Sequence, residues 1–347
     1  MSNNGIALVT GGSGYFGAVL RDRLRASGQV VRIYDLVDAN DRPADVDFIA
    51  GDIRDFEGIQ RACRDVKVIY HCVAQVPLAR DKALFHSVNV TGTENLLKAA
   101  AQMRVGKIVL LSSSAVFGIP SKNPVDDTVI PRPLEDYGRA KLAGEQLARR
   151  YAEEQRLDIT IIRPRTILGL GRLGIFQILY DWISEGRNVY VFGRGDNVYQ
   201  FVHAEDLADA CIKAAARSGS TIYNIGAAHY GTMRASLEGL IKHAGTGSQV
   251  RSLPARPAVL MMELLSKLRL APFAAYHWLM YGRDLYFDIT RAQQELNWQP
   301  KWSNIEMLCQ SYDWYLAHRE QVQAASGASP HRSAVKQGIL LVLKRLS

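Results

Sequence analysis

Tyr137 and Lys141 stand four residues apart in Tyr137-Gly138-Arg139-Ala140-Lys141, a spacing that puts both side chains on one face of a helix. An apolar run ending at Leu111 leads directly into Ser112, Ser113 and Ser114. Phenol, ammonium and hydroxyl together make a proton-transfer device. A free phenol has a pKa of ~10, too high for a useful base at neutral pH. A neighbouring cation favours phenolate and lowers that value. Tyr137 could then take the proton of a secondary alcohol, a serine could hold the alcohol oxygen, and a hydride acceptor would complete the oxidation. Tyr-x-x-x-Lys alone is common on helix surfaces, so the chemistry requires a cofactor site beside it.

Such a site is encoded near the amino terminus. Ile6 to Gly17 reads IALVTGGSGYFG, an apolar strand entering Gly11-x-x-Gly14-x-x-Gly17 before a helix. Gly11 permits a tight turn, Gly14 lets the backbone approach a pyrophosphate, and Gly17 allows close helix–strand packing. The helix that starts at Tyr15 and Phe16 offers free N–H groups and a positive dipole end to phosphates. No Gly-Lys-Ser/Thr follows, so this is not a P-loop. The next strand ends at Asp35, 18 residues beyond Gly17. An acidic residue there binds the adenosine ribose 2′-hydroxyl and repels a 2′-phosphate, so the expected cofactor is NAD. Asp52 and Ile53 follow the third strand, where they could contact the adenine or simply end that strand.

Stepwise alternation of strand and helix must position these groups. Strands are expected at Ile6–Thr10, Val30–Asp35, Asp47–Ala50, Val68–Cys72, Lys107–Ser112 and Ile159–Arg163. Helices are expected at Tyr15–Ser27, Phe56–Cys63, Phe85–Met103 and Tyr137–Arg156. That rhythm predicts an α/β fold of the Rossmann type, a doubly wound parallel sheet, with a smaller and mostly helical carboxyl-terminal substrate domain. The expected division is 1–165 with a return segment at about 200–228 for the dinucleotide domain. Residues 166–199 and 229–325 form the substrate domain, and 326–347 a linker and basic amphipathic tail. No repeat or low-complexity tract interrupts the pattern.

The composition narrows the classes further. The chain has 347 residues, with 42 Lys and Arg against 34 Asp and Glu for a net charge of +8. Basic residues are spread through the chain, which argues for a solvated surface and against nucleic acid. Cys63, Cys72, Cys211 and Cys309 show no paired spacing. A disulfide scaffold and a cysteine zinc site are therefore disfavoured, and a reducing, cytoplasmic setting is expected. No signal peptide is visible, and no apolar run is long enough to span a membrane. His203, His229 and His277 lack metal-ligand spacing, so no metal is expected. The triplet of serines is not a hydrolase elbow, because Gly-x-Ser-x-Gly is absent. Arg332, Lys336, Lys344 and Arg345 flank an apolar stripe in the tail, which leaves open a peripheral membrane contact, docking on the protein itself, or disorder.

The motifs TGGSGYFG, Asp35, Gly51-Asp52-Ile53, His71-Cys72-Val73-Ala74, Asn89-Val90-Thr91-Gly92-Thr93, SSSAVFG, YGRAK and Arg163-Pro164 occur in this order. Together they resemble the extended short-chain dehydrogenase/reductase family, in its NAD-dependent epimerase/dehydratase branch. The resemblance runs from residue 6 to about 226 and continues weakly to about 300. It implies cofactor contacts at Gly11, Gly14, Tyr15, Phe16, Gly17, Asp35, Asp52, Ile53, Ala74, Asn89, Tyr137, Lys141 and Pro164. It also implies that Lys141 binds the nicotinamide ribose. Counting back from Phe117-Gly118 puts the catalytic serine on Ser113, with Ser114 the adjacent alternative.

Departures from the branch bear on the substrate. Its 4,6-dehydratases carry Asp-Glu after the serine or threonine, where this chain has Ser114 and Ala115, so dehydration is disfavoured. Its sugar-nucleotide epimerases commonly carry Asn where this chain has Thr166, and an Arg before Phe-Val-His where this chain has Asn197 to Gln200. Arg165, Arg172, Arg194 or Arg283 could supply that charge. The stretch Pro254–Phe287 is rich in Leu, Met and aromatic residues, as in the 3β-hydroxysteroid dehydrogenase branch, or as in a well-packed subdomain. The expected function is an NAD-dependent epimerase of a nucleotide sugar. The alternative is a net dehydrogenase of a lipid or steroid-type alcohol, and a non-catalytic NAD-binding protein is the reading from another class. A homodimer is expected.

Overall fold

Seven short runs rich in Val, Ile and Leu pair into one parallel sheet. In the computed structural model, residues 5–75, 82–268, 280 and 282–324 are described. The strands are β1 (Ile6–Thr10), β2 (Val31–Asp35), β3 (Asp47–Ala50), β4 (Val66–His71), β5 (Lys107–Leu111), β6 (Ile159–Pro164) and β7 (Thr221–Ile225). Their order is β7-β6-β5-β4-β1-β2-β3. All six pairings are parallel. The fold is the Rossmann-type doubly wound sheet that the strand–helix rhythm implies. β7 is the return strand, added at the edge beside β6.

Alternation along the strands sends successive side chains to opposite faces. Leu8, Ile69, Ile108, Leu110 and Ile161 face one apolar cluster, under α2 (Phe56–Ala62), α4 (Gly92–Gln102) and α5 (Asp136–Glu154). Ala7, Val9, Ile33, Val109 and Ile162 face the other, under α1 (Tyr15–Ala26) and α7 (Ala204–Ala216). Both faces are covered, which is why the strands read as nearly continuous apolar runs. Ile289, Leu296 and Trp298 also pack into this second cluster, and the Trp298 indole donates to the Asp206 carbonyl at 2.9 Å.

A third cluster stands apart from the sheet. It is built on α6 (Ile175–Ser184), the short strand Val189–Phe192, α8 (Met233–Ala244) and the helix Asn304–Ala317. Tyr180, Trp182, Tyr199, Phe201 and Tyr315 fill it. That strand pairs in parallel with Val250–Leu253, after which comes α9 (Ala255–Lys267).

Element boundaries shift where local pattern and pairing disagree. β4 begins two residues earlier than its hydropathy suggests, because Val66 pairs with Ile6 while exposed Lys67 interrupts the apolar run. The helix expected over Phe85–Met103 is α3 (Lys82–His86), a π turn (Ser87–Thr91) and α4. α5 starts at Asp136 because the Glu135 carboxylate caps it, accepting from the Tyr137 and Gly138 N–H groups at 2.7 and 2.6 Å. The four cysteines are free. No helix among the described residues is long and apolar enough to cross a membrane. The linker at 326–330, the tail at 331–347 and His277 lie outside the described residues.

Candidate active site

The strand order reverses at β1, which has β2 on one side and β4 on the other. Ligands bind at such a switch point, outside the carboxyl ends of the strands. The glycine loop leaves β1 there. Gly11 has φ +76°, and a Cβ on it would lie 2.9 Å from the Val73 backbone nitrogen. A Cβ on Gly17 would sit 2.0 Å from the Gly11 carbonyl oxygen. Neither position admits a side chain, so α1 starts pressed against the loop. This cradle, with Asp35 ending β2, fits a dinucleotide. Glycine loop, helix start and Asp35 would hold it.

The Asp35 carboxylate accepts from the Ser13 and Leu36 N–H groups at 3.0 and 2.8 Å. Burial raises its pKa, and those two hydrogen bonds act the other way. The Asp52 carboxylate is gripped by Arg54, which holds its pKa below the usual range. Gly11, Gly14, Tyr15, Phe16, Gly17, Asp35, Asp52, Ile53, Ala74 and Pro164 all line one cavity of about 1660 Å³. Asn89 is placed differently. Its amide is spent on the Gln75 backbone, accepting from the nitrogen at 2.7 Å and donating to the oxygen at 3.1 Å. Gln75 lines the cavity and Asn89 does not, so Asn89 shapes the cleft through the loop after β4.

Ser113, Tyr137 and Lys141 line the same cavity. The three serines after β5 have separate partners. Ser112 donates to Glu145 at 2.5 Å. Ser113 accepts from the Ala115 N–H at 3.2 Å and caps a short 3-10 turn. Ser114 accepts from Arg165 at 2.8 Å. Ser112 and Ser114 are buried and Ser113 is half-buried. Tyr137 is half-buried, its ring 6.4 Å from that of Phe85. The Lys141 ammonium donates to the Leu111 carbonyl at 2.8 Å. Burial pushes its pKa down to about 8, with Cys72 and Glu145 acting in the opposite direction.

The arginines separate into two sets. Arg165 and Arg172 line the cavity. Burial pushes Arg172 down to about 10. Arg194 is 88% exposed and pairs with Asp196, and Arg283 is exposed outside the cavity. His203 is structural: it caps α7, bonds Gln310 and stacks on Trp302. Among the described residues no cluster could hold a metal ion.

Sequence reasoning missed the support beneath the site. Arg163 grips both oxygens of Glu145, which also takes the Ser112 hydroxyl. Glu145 follows Lys141 by one more helical turn, so a Tyr137/Lys141/Glu145 stripe was the available signal.

Residues 7–226 match the model of the NAD dependent epimerase/dehydratase family. The uncharacterized protein y4nG of Sinorhizobium fredii is 47% identical over 337 residues, covering 97% of this chain and 85% of the relative. The decarboxylating sterol-4-alpha-carboxylate 3-dehydrogenase of Homo sapiens is 30% identical over 211 residues. That match covers 60% of this chain and 56% of the human protein. The crystal structure of Thermus thermophilus UDP-glucose 4-epimerase with NAD superposes with a TM-score of 0.74 at 26% identity, covering 90% of this chain and 99% of the other. The matched stretch runs from the glycine loop through the serines and the Tyr–Lys helix to β7. An NAD-dependent enzyme of the extended short-chain dehydrogenase/reductase type results, and the chain belongs to the NAD dependent epimerase/dehydratase family.

Proposed function

We propose that the chain epimerises a secondary carbinol of a nucleotide sugar, with no net change in redox state. The observation that carries the reading is the single cavity where Ser113, Tyr137 and Lys141 meet the glycine loop. When bound there, NAD supplies a hydride acceptor that can also return the hydride. Tyr137 takes the hydroxyl proton as the carbonyl forms and gives it back on re-reduction. The buried Lys141 ammonium favours the phenolate. Ser113, the most open of its three serines, holds the substrate oxygen. Ser114 and Ala115 bring no second acid–base pair, which suits an epimerase better than a dehydratase. Arg165 and Arg172 put positive charge on the cavity wall, which suits a diphosphate. Similarity to a UDP-glucose 4-epimerase over nearly the whole chain supports the same substrate class.

The test follows absorbance at 340 nm with NAD and UDP-glucose or UDP-galactose, with chromatography of the sugar nucleotides. Interconversion without accumulated NADH is expected. Stoichiometric NADH from a lipid alcohol, with no isomerised sugar nucleotide, overturns the proposal.

One observation favours that second reading. Trp182, Phe192, Leu253, Met261, Met262 and Leu265 also line the cavity. An apolar wall of this kind suits the body of a lipid or steroid-type alcohol.

A further inference from the structure

Arg165 follows Pro164 at the end of β6 and is 1% exposed. Its guanidinium lies over the Tyr199 ring at 4.6 Å and 5.5 Å from the centre of the Phe287 ring. Nη1 donates to the Ser114 hydroxyl at 2.8 Å. Nε and Nη2 are buried and have no hydrogen-bond partner among the described residues. Those two atoms form the edge with which an arginine grips two oxygens at once.

Other arginines of this chain fill the same edge with a carboxylate. Arg21 holds Asp22 at 2.7 and 3.0 Å, Arg42 holds Asp38 at 2.7 and 2.9 Å, and Arg163 holds Glu145 at 2.8 and 2.6 Å. Arg165 alone of these four lines the cavity. A buried guanidinium without a counter-charge is costly, and two aromatic faces offset only part of that cost. Stacked and tethered through Nη1, the fork presents its remaining donors in one orientation.

We propose that Arg165 is a substrate-anion receptor. Its Nε and Nη2 edge takes two oxygens of a carboxylate or phosphoryl group carried by the substrate. The anion is held on the cavity wall that also carries Ser113 and Tyr137, and the tethering Ser114 adjoins Ser113 in the chain. The inference rests on the reading of the Ser113, Tyr137 and Lys141 site, and it does not require that the substrate be a nucleotide. Arg165 is a specificity-determining residue here and takes no part in proton transfer. Removing it raises KM and leaves kcat little changed, as for binding shared by ground and transition states.

The experiment uses the NAD-loaded enzyme, wild type, Arg165→Met and Arg165→Lys. Met keeps apolar volume between the two rings, and Lys keeps the charge without the fork. Calorimetric titrations use UDP, UDP-glucose, UDP-glucuronate and β-hydroxydecanoate, with near-UV circular dichroism to confirm folding. The wild type binds at least one probe, and Arg165→Met weakens that probe tenfold or more. Arg165→Lys falls between them, and serves alone if the Met variant does not fold. Equal losses for UDP and both UDP-sugars identify a phosphoryl group. A loss confined to UDP-glucuronate or β-hydroxydecanoate identifies a carboxylate. Binding of β-hydroxydecanoate alone, lost in Arg165→Met, removes the nucleotide-sugar reading and leaves the anion receptor standing. Unchanged affinities in a folded variant, or a wild type that binds none of the four probes, overturns the proposal.

Discussion

The Arg163 guanidinium closes on both carboxylate oxygens of Glu145, at 2.8 and 2.6 Å, inside the protein. The pair joins β6 to α5 and takes in the Ser112 hydroxyl at the end of β5. Lys141 lies one helical turn before Glu145. The ion pair therefore sets the helix that carries Tyr137 and Lys141 against the strand that delivers Ser113.

Breaking that pair is expected to destabilise the fold strongly. Glu145→Leu strands a buried guanidinium, and loss of one partner of a buried pair costs about 3–5 kcal/mol. Urea denaturation should show a lower midpoint for Glu145→Leu and a smaller fall for Glu145→Gln. A midpoint within error of the wild type for both would remove the pair from any structural role.

Tyr137→Phe keeps the ring beside Phe85 and removes the phenol proton. Turnover should fall by ~10²–10⁴-fold, the usual contribution of general acid–base catalysis. NAD affinity, read by fluorescence quenching, should stay within about threefold of the wild type, a change of well under 1.4 kcal/mol. A variant with near wild-type rate rules out the phenol as the acid–base group.

Asp35 is expected to carry the choice between NAD and NADP. Asp35→Ser removes the charge that repels a 2′-phosphate, so the ratio of the two dissociation constants should shift toward NADP by about tenfold or more, or ~1.4 kcal/mol. Tighter binding of NADP than NAD by the wild type would contradict this role.

His71 predicts an acid-sensitive limb of stability. It is buried between the hydroxyls of Thr10 and Thr93, at 2.7 and 3.1 Å. Burial pushes its pKa from 6.5 down to about 3, with Lys141 adding to the effect. The folded state therefore binds fewer protons than the unfolded chain between those values. The stability contributed by neutral His71 is present above pH 6.5 and is lost as pH falls toward 3. His71→Gln should flatten this limb by up to one proton per molecule in denaturation midpoints measured from pH 7 to 4. Parallel wild-type and variant curves across that range would show that His71 is not the group responsible.

The legible part of this protein was local. Gly11 and Gly17 are dictated by a left-handed turn and by a carbonyl 2.0 Å from where a Cβ would sit. Tyr137 and Lys141 share a face because a helix turns every 3.6 residues. Strand runs are recognisable because a sheet covered on both faces needs β-branched residues at most positions. Partner choice was not legible, since it depends on segments brought together from far apart. Arg163, Arg165, Arg172 and Arg194 are chemically equivalent in the sequence. Packing puts the first on Glu145, leads the second and third into the cavity, and leaves the fourth in solvent. Ser112, Ser113 and Ser114 divide their roles because Glu145 and Arg165 arrive from other strands and helices. Asn89 reaches Gln75 and not the cavity because a π turn carries it there. Periodicity and backbone sterics act within a few residues and can be read in order, whereas hydrogen-bond and ion-pair partners exist only once the sheet has closed.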